Sequence, residues 1–365
     1  VFKFNAKQEA LSGQFMHEIT RIITPSANND DTELDRTLRP QTFSDFIGQE
    51  QLKANLSIFV AAAKKRGEPI DHILFSGPPG LGKTTLARIL ANEMGVQITT
   101  TSGPVLEKKG DLAGNLTGLD EKEIFFIDEV HRLNRVVEEA LYPAIEDFVF
   151  DIMTGEGPAA KSIRLPLKKF TLVGATTRAG LITAPMLARF GYVGQMKYYT
   201  DEEMQKVVLR SAKLLNITCE PQAAMELGKR SRGTPRVANR LLRRVRDVAD
   251  VRGDGTITTD IVSQTCKMLG IDDIGLDEMD RAILTTIAEH YNGGPVGIKN
   301  IAVVVGEESD TIEDVYEPYL IQCGFLKRTP QGREITDKTY KMLGIKPKYK
   351  KSPKDSLQTS IFEGE

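Results

Sequence analysis

Three short runs of apolar, β-branched and aromatic residues punctuate the first half of the chain: HILFSG at 72–77, EIFFIDE at 123–129 and FTLVGATT at 170–177. They are too short for helices, and each predicts a strand buried on both faces. Between them, in KTTLARILANEMG at 83–95 and VVEEALYPAIED at 136–147, the apolar positions recur at helical spacing. Buried strands alternating with helices predict a parallel sheet covered on both sides. Ahead of it, residues 38–67 read as a turn followed by a helix with an apolar stripe.

The strand pattern stops after Tyr199. Thr200 and Glu203 form a capping box for a helix over 200–215, and three further helical stretches follow at 221–231, 234–253 and 258–270. They predict a small all-helical domain. Residues 276–291, 297–306 and 310–324 repeat the helical spacing and lead into GFLKRTPQGREIT at 324–336, two apolar-flanked arms around a Pro-Gln-Gly turn. Inside the α/β region, FDIMTGEGPAAKSIRLPL at 150–167 alternates apolar residues through Ile163, Leu165 and Leu167, with TGEGP as the turn, and predicts a β-hairpin insert. The expected organisation is an extension at 1–35, weakly ordered, then a large domain at 36–199 with the insert near 148–167. A helical domain at 200–272, a helix-plus-hairpin domain at 273–345 and a basic disordered tail at 346–365 complete it.

The net charge of -2 excludes a polycation, so any nucleic-acid contact must come from a local patch. Cys219, Cys266 and Cys323 show no ligand spacing, which argues against a disulfide scaffold or zinc site and for a reducing, cytoplasmic compartment. No apolar run is long enough to span a membrane, and no signal-peptide pattern opens the chain.

The chemistry concentrates in the α/β region. GPPGLGKTT at 77–85 matches G-x-x-x-x-G-K-[ST] between a predicted strand and a predicted helix, as the phosphate-binding loop requires. Glycines such as Gly80 let backbone N–H groups converge on phosphate oxygens, Lys83 reaches the β- and γ-phosphates, and Thr84 holds Mg²⁺. Asp128 and Glu129 end the next strand; Asp128 suits Mg²⁺ and Glu129 suits polarising an attacking water. Thr176 and Thr177 end the third strand, where either hydroxyl reaches the γ-phosphate or the water. Arg189 sits in MLARFG, between apolar residues and a glycine. Arg236 falls in the first turn of its helix, where a cation opposes the dipole, which suggests another task for it.

These pieces together resemble the AAA+ ATPases. The set LRP, GPPGLGKTTLA, DEVHRL, GEGPAAKSI, GATTRAG, ARFG and RGTPRVANRLLRRVRD resembles more closely the RuvB family, bacterial motors of Holliday-junction branch migration, from about Leu38 to Leu343. The resemblance implies an α/β P-loop AAA+ ATPase domain with a small all-helical lid domain and a C-terminal winged-helix domain. It implies ATP and Mg²⁺ as cofactors. Leu38 and Arg39 then line the adenine side, and Gly80, Lys83, Thr84 and Thr85 bind phosphates and Mg²⁺. Glu146, Asp147 and Phe148 lie near the nucleotide, Thr177 or Thr176 is the sensor, and Tyr199 and Arg236 contact nucleotide from the lid. Arg189 becomes the finger of a neighbouring subunit in a hexameric ring. Arg328 and Arg333 touch duplex DNA, and the insert, through Ile163 and Leu165, docks a RuvA-like junction-binding protein; a RuvC-like resolvase is a further partner. The rival readings are a replication-initiator type of DNA-binding switch and a protein remodeller, the latter disfavoured because TSGPVLEKKGDLAG has no pore-loop aromatic.

Overall fold

The computed structural model describes residues 37–154 and 161–346. The expected extension at 1–35, residues 155–158 of the TGEGP turn, and all but Lys346 of the expected tail lie outside the described residues. The described chain divides by compactness into two units, one ending at Thr259 and the other beginning at Asp260.

In the first unit α1 (Glu50–Arg66) precedes β1 (Ile73–Ser76), α2 (Lys83–Met94), β2 (Ile98–Ser102), α3 (Lys109–Thr117), β3 (Ile124–Asp128) and α4 (Arg135–Glu146). The insert strands β4 (Val149–Thr154) and β5 (Lys161–Pro166) come next, then β6 (Thr171–Thr176), the short α5 (Ala184–Leu187) and β7 (Tyr192–Gln195). Five strands form one parallel sheet in the order β2-β3-β6-β1-β7. Ile73, Leu74, Phe75, Phe125, Phe126, Leu172 and Val173 are fully buried in it, as the continuous apolar runs require. Truncating one of them, as in Phe125→Ala, would cost about 3–5 kcal/mol. Register pairs Ser76 with Thr176 and Ser102 with Asp128. The carboxyl ends of four strands thus share one rim, beside the point where strand order reverses, which is where open α/β sheets bind ligands.

Helices α6 (Asp201–Leu214), α7 (Pro221–Lys229) and α8 (Pro235–Arg252) make the helical part of this unit. The capping box at its entry is formed: Thr200 accepts from the Glu203 N–H and Glu203 from the Thr200 N–H. The insert is an antiparallel hairpin pairing Phe150 with Leu165 and Ile152 with Ile163. Phe150 is buried, Ile152 packs part-buried on the same core, and Ile163 is 47% exposed, so the apolar face emerges into solvent along the hairpin.

The second unit holds most of α9 (Thr259–Met268), then α10 (Glu278–His290) and α11 (Ile298–Val305). Next, α12 (Ser309–Thr311) passes through a π-helical turn, Ile312–Tyr316, into α13 (Glu317–Gln322). Pro318 explains the turn: it lacks an N–H and its ring crowds the carbonyl four residues back. Strands β8 (Leu326–Thr329) and β9 (Gly332–Ile335) form the expected hairpin, followed by α14 (Asp337–Leu343). Val296 bridges Arg333 from the other side, so β9 is flanked twice and β8 once. Gly332 has φ 144, and a Cβ there would meet the Val296 carbonyl at 2.4 Å, so only glycine admits this third strand.

Candidate active site

A cleft of about 460 Å³ opens at the carboxyl rim of the sheet and reaches the helical part of the same unit. Its walls include Leu38, Arg39, Gly80, Lys83, Thr84, Thr85, Asp128, Glu129, Thr177, Tyr199 and Arg236, residues drawn together from across 200 positions of sequence. The loop between β1 and α2 is shaped by backbone conformation. Gly82 has φ 102, and a Cβ on it would press on the Phe46 ring at 3.0 Å, so the loop passes close under Phe46. Lys83, the first residue of α2, donates to the carbonyls of Gly77 at 2.7 Å and Pro78 at 2.8 Å. Burial holds its pKa down to about 8; Asp128 and Glu129 push it up, and Arg236 pushes it further down. A buried ammonium that its loop only partly satisfies is suited to receive anionic phosphate.

The Thr84 hydroxyl donates to Asp128 Oδ2 at 3.4 Å. A hydroxyl and a carboxylate oxygen this close fit Mg²⁺, which takes few protein oxygens and keeps several waters. Thr84 and Asp128 would hold such an ion, which would supply charge neutralisation to bound phosphates. Glu129 has φ 48 and is bridged to Arg132 at 2.9 Å, so its carboxylate is oriented at the cleft wall. At the end of β6 the two threonines part company. Thr176 is buried, shares a 3.0 Å hydrogen bond with His131 Nδ1 and accepts from the Arg178 N–H at 3.0 Å. Thr177 is exposed and lines the cleft. Tyr199 is buried, donates to the Leu81 carbonyl at 3.2 Å, and has its phenol pKa raised by burial.

Three expected nucleotide contacts are placed elsewhere, and Arg189, expected to serve a neighbouring subunit's site, is likewise absent from this one. Glu146, Asp147, Phe148 and Arg189 do not line this cleft. The reason is direction: β3 ends at the rim and α4 runs back from it, so its last turn reaches the opposite end of the sheet. There the Ile145 carbonyl pairs with His72 Nε2 at 2.8 Å, and Phe148 packs on His72 and Phe170. Arg189 lies against this same helix, 3.1 Å from Glu146 and 4.0 Å above the Tyr142 ring.

The wing also departs from expectation. Arg328 is 57% exposed and pairs with Glu313 at 2.6 Å. Arg333, expected as a second DNA contact, is 9% exposed and holds Glu317 at 2.9 Å. It sits on the twice-flanked strand, whereas Arg328 occupies the edge. Several cleft residues were not foreseen. Phe46, Ser102, Arg210 and Asn239 also line the cleft, and Arg210 donates to the Leu38 carbonyl at 2.7 Å. Of these, only Asn239 falls inside a motif that carried the resemblance, RGTPRVANRLLRRVRD.

A phosphate loop on a parallel sheet, a strand-end acidic pair and a helical lid around one cleft define a P-loop ATPase of the AAA+ class. Residues 38–196 match the model of the Holliday junction DNA helicase RuvB P-loop domain. Residues 199–272 match the RuvB AAA lid domain, and 273–344 the RuvB C-terminal winged helix domain. The chain belongs to the RuvB family. It is 51% identical to the Thermotoga maritima RuvB Holliday junction branch migration motor, with a TM-score of 0.77 over 85% of this chain and 99% of that one. A point mutant of the Thermotoga protein aligns at 52% identity and a TM-score of 0.78, with the same coverage.

Proposed function

We propose that this protein is an ATP-driven motor that translocates duplex DNA and so drives branch migration of Holliday junctions in recombination and repair. The observation that carries the reading is one cleft bringing Lys83, Thr84, Asp128, Glu129 and Thr177 together, on a chain that also carries a winged helix. In this reading Lys83 holds the β- and γ-phosphates, Thr84 and Asp128 hold Mg²⁺, and Glu129 polarises the attacking water. Thr177 senses the γ-phosphate, Leu38 and Arg39 face the adenine, and Tyr199 and Arg236 report nucleotide to the lid. Arg189 lies outside its own cleft, which supports its service in the cleft of the next subunit of a hexameric ring, with Glu146, Asp147 and Phe148 beside it. Arg328 contacts DNA phosphates, which position without specifying sequence. Among the described residues no helix is long and apolar enough to cross a membrane, in keeping with work on DNA in the cytoplasm.

The test is ATP turnover on four-way junctions and plain duplex, with Glu129→Gln alongside. Turnover should rise with DNA, and the variant should keep ATP binding while losing about a hundredfold or more in hydrolysis. Wild-type hydrolysis in that variant would remove the general-base assignment, and turnover indifferent to DNA would favour an initiator-type switch.

The insert is proposed to dock a RuvA-like junction-binding protein, with a RuvC-like resolvase acting on the same junction. Ile163 is apolar and exposed, while Leu165 is part-buried opposite buried Phe150. Ile163→Asp should spare folding and DNA-independent turnover but abolish partner-stimulated branch migration, since few residues dominate such contacts. Leu165→Asp should also lose stability. Insoluble protein from Ile163→Asp would make the residue part of the core instead.

A further inference from the structure

The wing is less cationic than its sequence. Arg328 and Arg333 stand directly opposite each other on β8 and β9, where like charges repel. Both guanidiniums converge on carboxylates of the helical segment before the wing. Arg328 lies 2.6 Å from Glu313 Oε1, and Arg333 lies 3.5 Å from the same oxygen and 2.9 Å from Glu317 Oε2. The quartet is neutral in sum, but its two halves differ. Glu317 is 2% exposed and closed in with Arg333, whereas the side chain of Glu313 is 27% exposed beside open Arg328. On the opposite register position, Lys327 faces Glu334.

The helical segment itself is acidic. Residues 307–322 contain Glu307, Glu308, Asp310, Glu313, Asp314 and Glu317 and no lysine or arginine. Helix-turn-helix modules place their second helix in the major groove, but one of this charge meets phosphates with repulsion. The contact is left to the wing and to Lys299, which lines the same surface as Arg328.

We infer that Glu313 is an internal competitor for the DNA phosphate. Arg328 exchanges the Glu313 carboxylate for a phosphate oxygen when the wing engages, and takes the carboxylate back on release. One partly exposed ion pair replaces another, so the net gain per contact is small and the grip is readily let go. Arg333 and Glu317 stay paired throughout and hold the wing in place. The inference deepens the reading of the wing as the duplex contact and rests on it.

The experiment measures binding of the full chain to a labelled duplex of arbitrary sequence by fluorescence anisotropy, with thermal melts of each variant. Glu313→Gln should tighten binding roughly two- to fivefold, the range of a partly exposed ion pair, and Glu313→Asp should fall between it and wild type. Arg328→Ala should weaken binding, and adding Glu313→Gln to it should restore nothing. Glu308→Gln, which removes a charge from the same segment away from the pair, should gain clearly less than Glu313→Gln. The competitor role is overturned if Glu313→Gln binds no tighter, if its gain survives Arg328→Ala, or if Glu308→Gln gains as much. Arg328→Ala with undiminished binding would instead sink the wing reading itself, which separates the two failures.

Discussion

The nucleotide cleft and the wing both rest on cations, and they hold them by opposite means. Lys83 is fixed by the carbonyls of its own loop, within six residues, and its ammonium is left under-satisfied and ready for a ligand. Arg333 is fixed by carboxylates 16 and 20 residues away, and it is already satisfied. Arg189 does not line the cleft and lies on another face, whereas the wing carries both partners of each pair. A local motif makes a site that waits; long-range packing makes one that is provisionally closed.

The sharpest way to break this contrast is at Arg189. A finger supplied by a neighbour contributes about a thousandfold or more to hydrolysis, so Arg189→Ala should be inactive alone. Mixed with Lys83→Ala, some interfaces would join an intact loop to an intact arginine, and turnover should partly return. Failure at every mixing ratio would make the cleft self-sufficient and Arg189 structural. Next comes the wing. Arg333→Ala strands buried Glu317, relieved only by Arg328 at 3.9 Å, and should destabilise the C-terminal unit by roughly 2–3 kcal/mol. Arg328→Ala should leave melting nearly unchanged and lower the log-log salt slope of duplex binding by about 0.9. Equal behaviour of the two variants in both measurements would erase the division between strut and contact.

The smallest effect is a pH dependence within the first unit. His72, at the foot of β1, accepts from the Leu172 N–H through Nδ1 at 2.9 Å and pairs with the Ile145 carbonyl through Nε2 at 2.8 Å. Burial holds its pKa below the usual value, so the unfolded chain takes up a proton near pH 6.5 before the folded one does. This contribution to stability is present above about pH 6.5 and is lost as pH falls below it. Thermal melts from neutral to mildly acidic pH should show that loss, and His72→Gln should flatten it; an unchanged acid limb would assign it to other groups.

What the sequence made legible follows the same line. The three central strands, the loop, the acidic pair and the capping box are local patterns, and each lies where its pattern put it. Strand β2 was missed because ITTTS sits at the sheet edge, half-exposed, with no apolar run. Strand β7 holds the other edge in four residues, and α3 contains two glycines in KGDLAGNLT, which weakens its helical signal. The choice between Thr176 and Thr177 was undecided in sequence because successive strand residues face opposite ways, and only the neighbouring His131 shows which one is occupied. The burial of Arg333 depends on Val296, 37 positions upstream, which no local window contains.

Tyr199 joins the sheet domain to the first lid helix, and its hydroxyl is tied to the Leu81 carbonyl inside the phosphate loop. Its own N–H is tied to the Gly233 carbonyl, just ahead of α8, and Gly48 leaves room for its ring. One side chain and one peptide group of the same residue therefore link the phosphate loop to the start of α8, so a shift of either has a direct hydrogen-bonded route to the other.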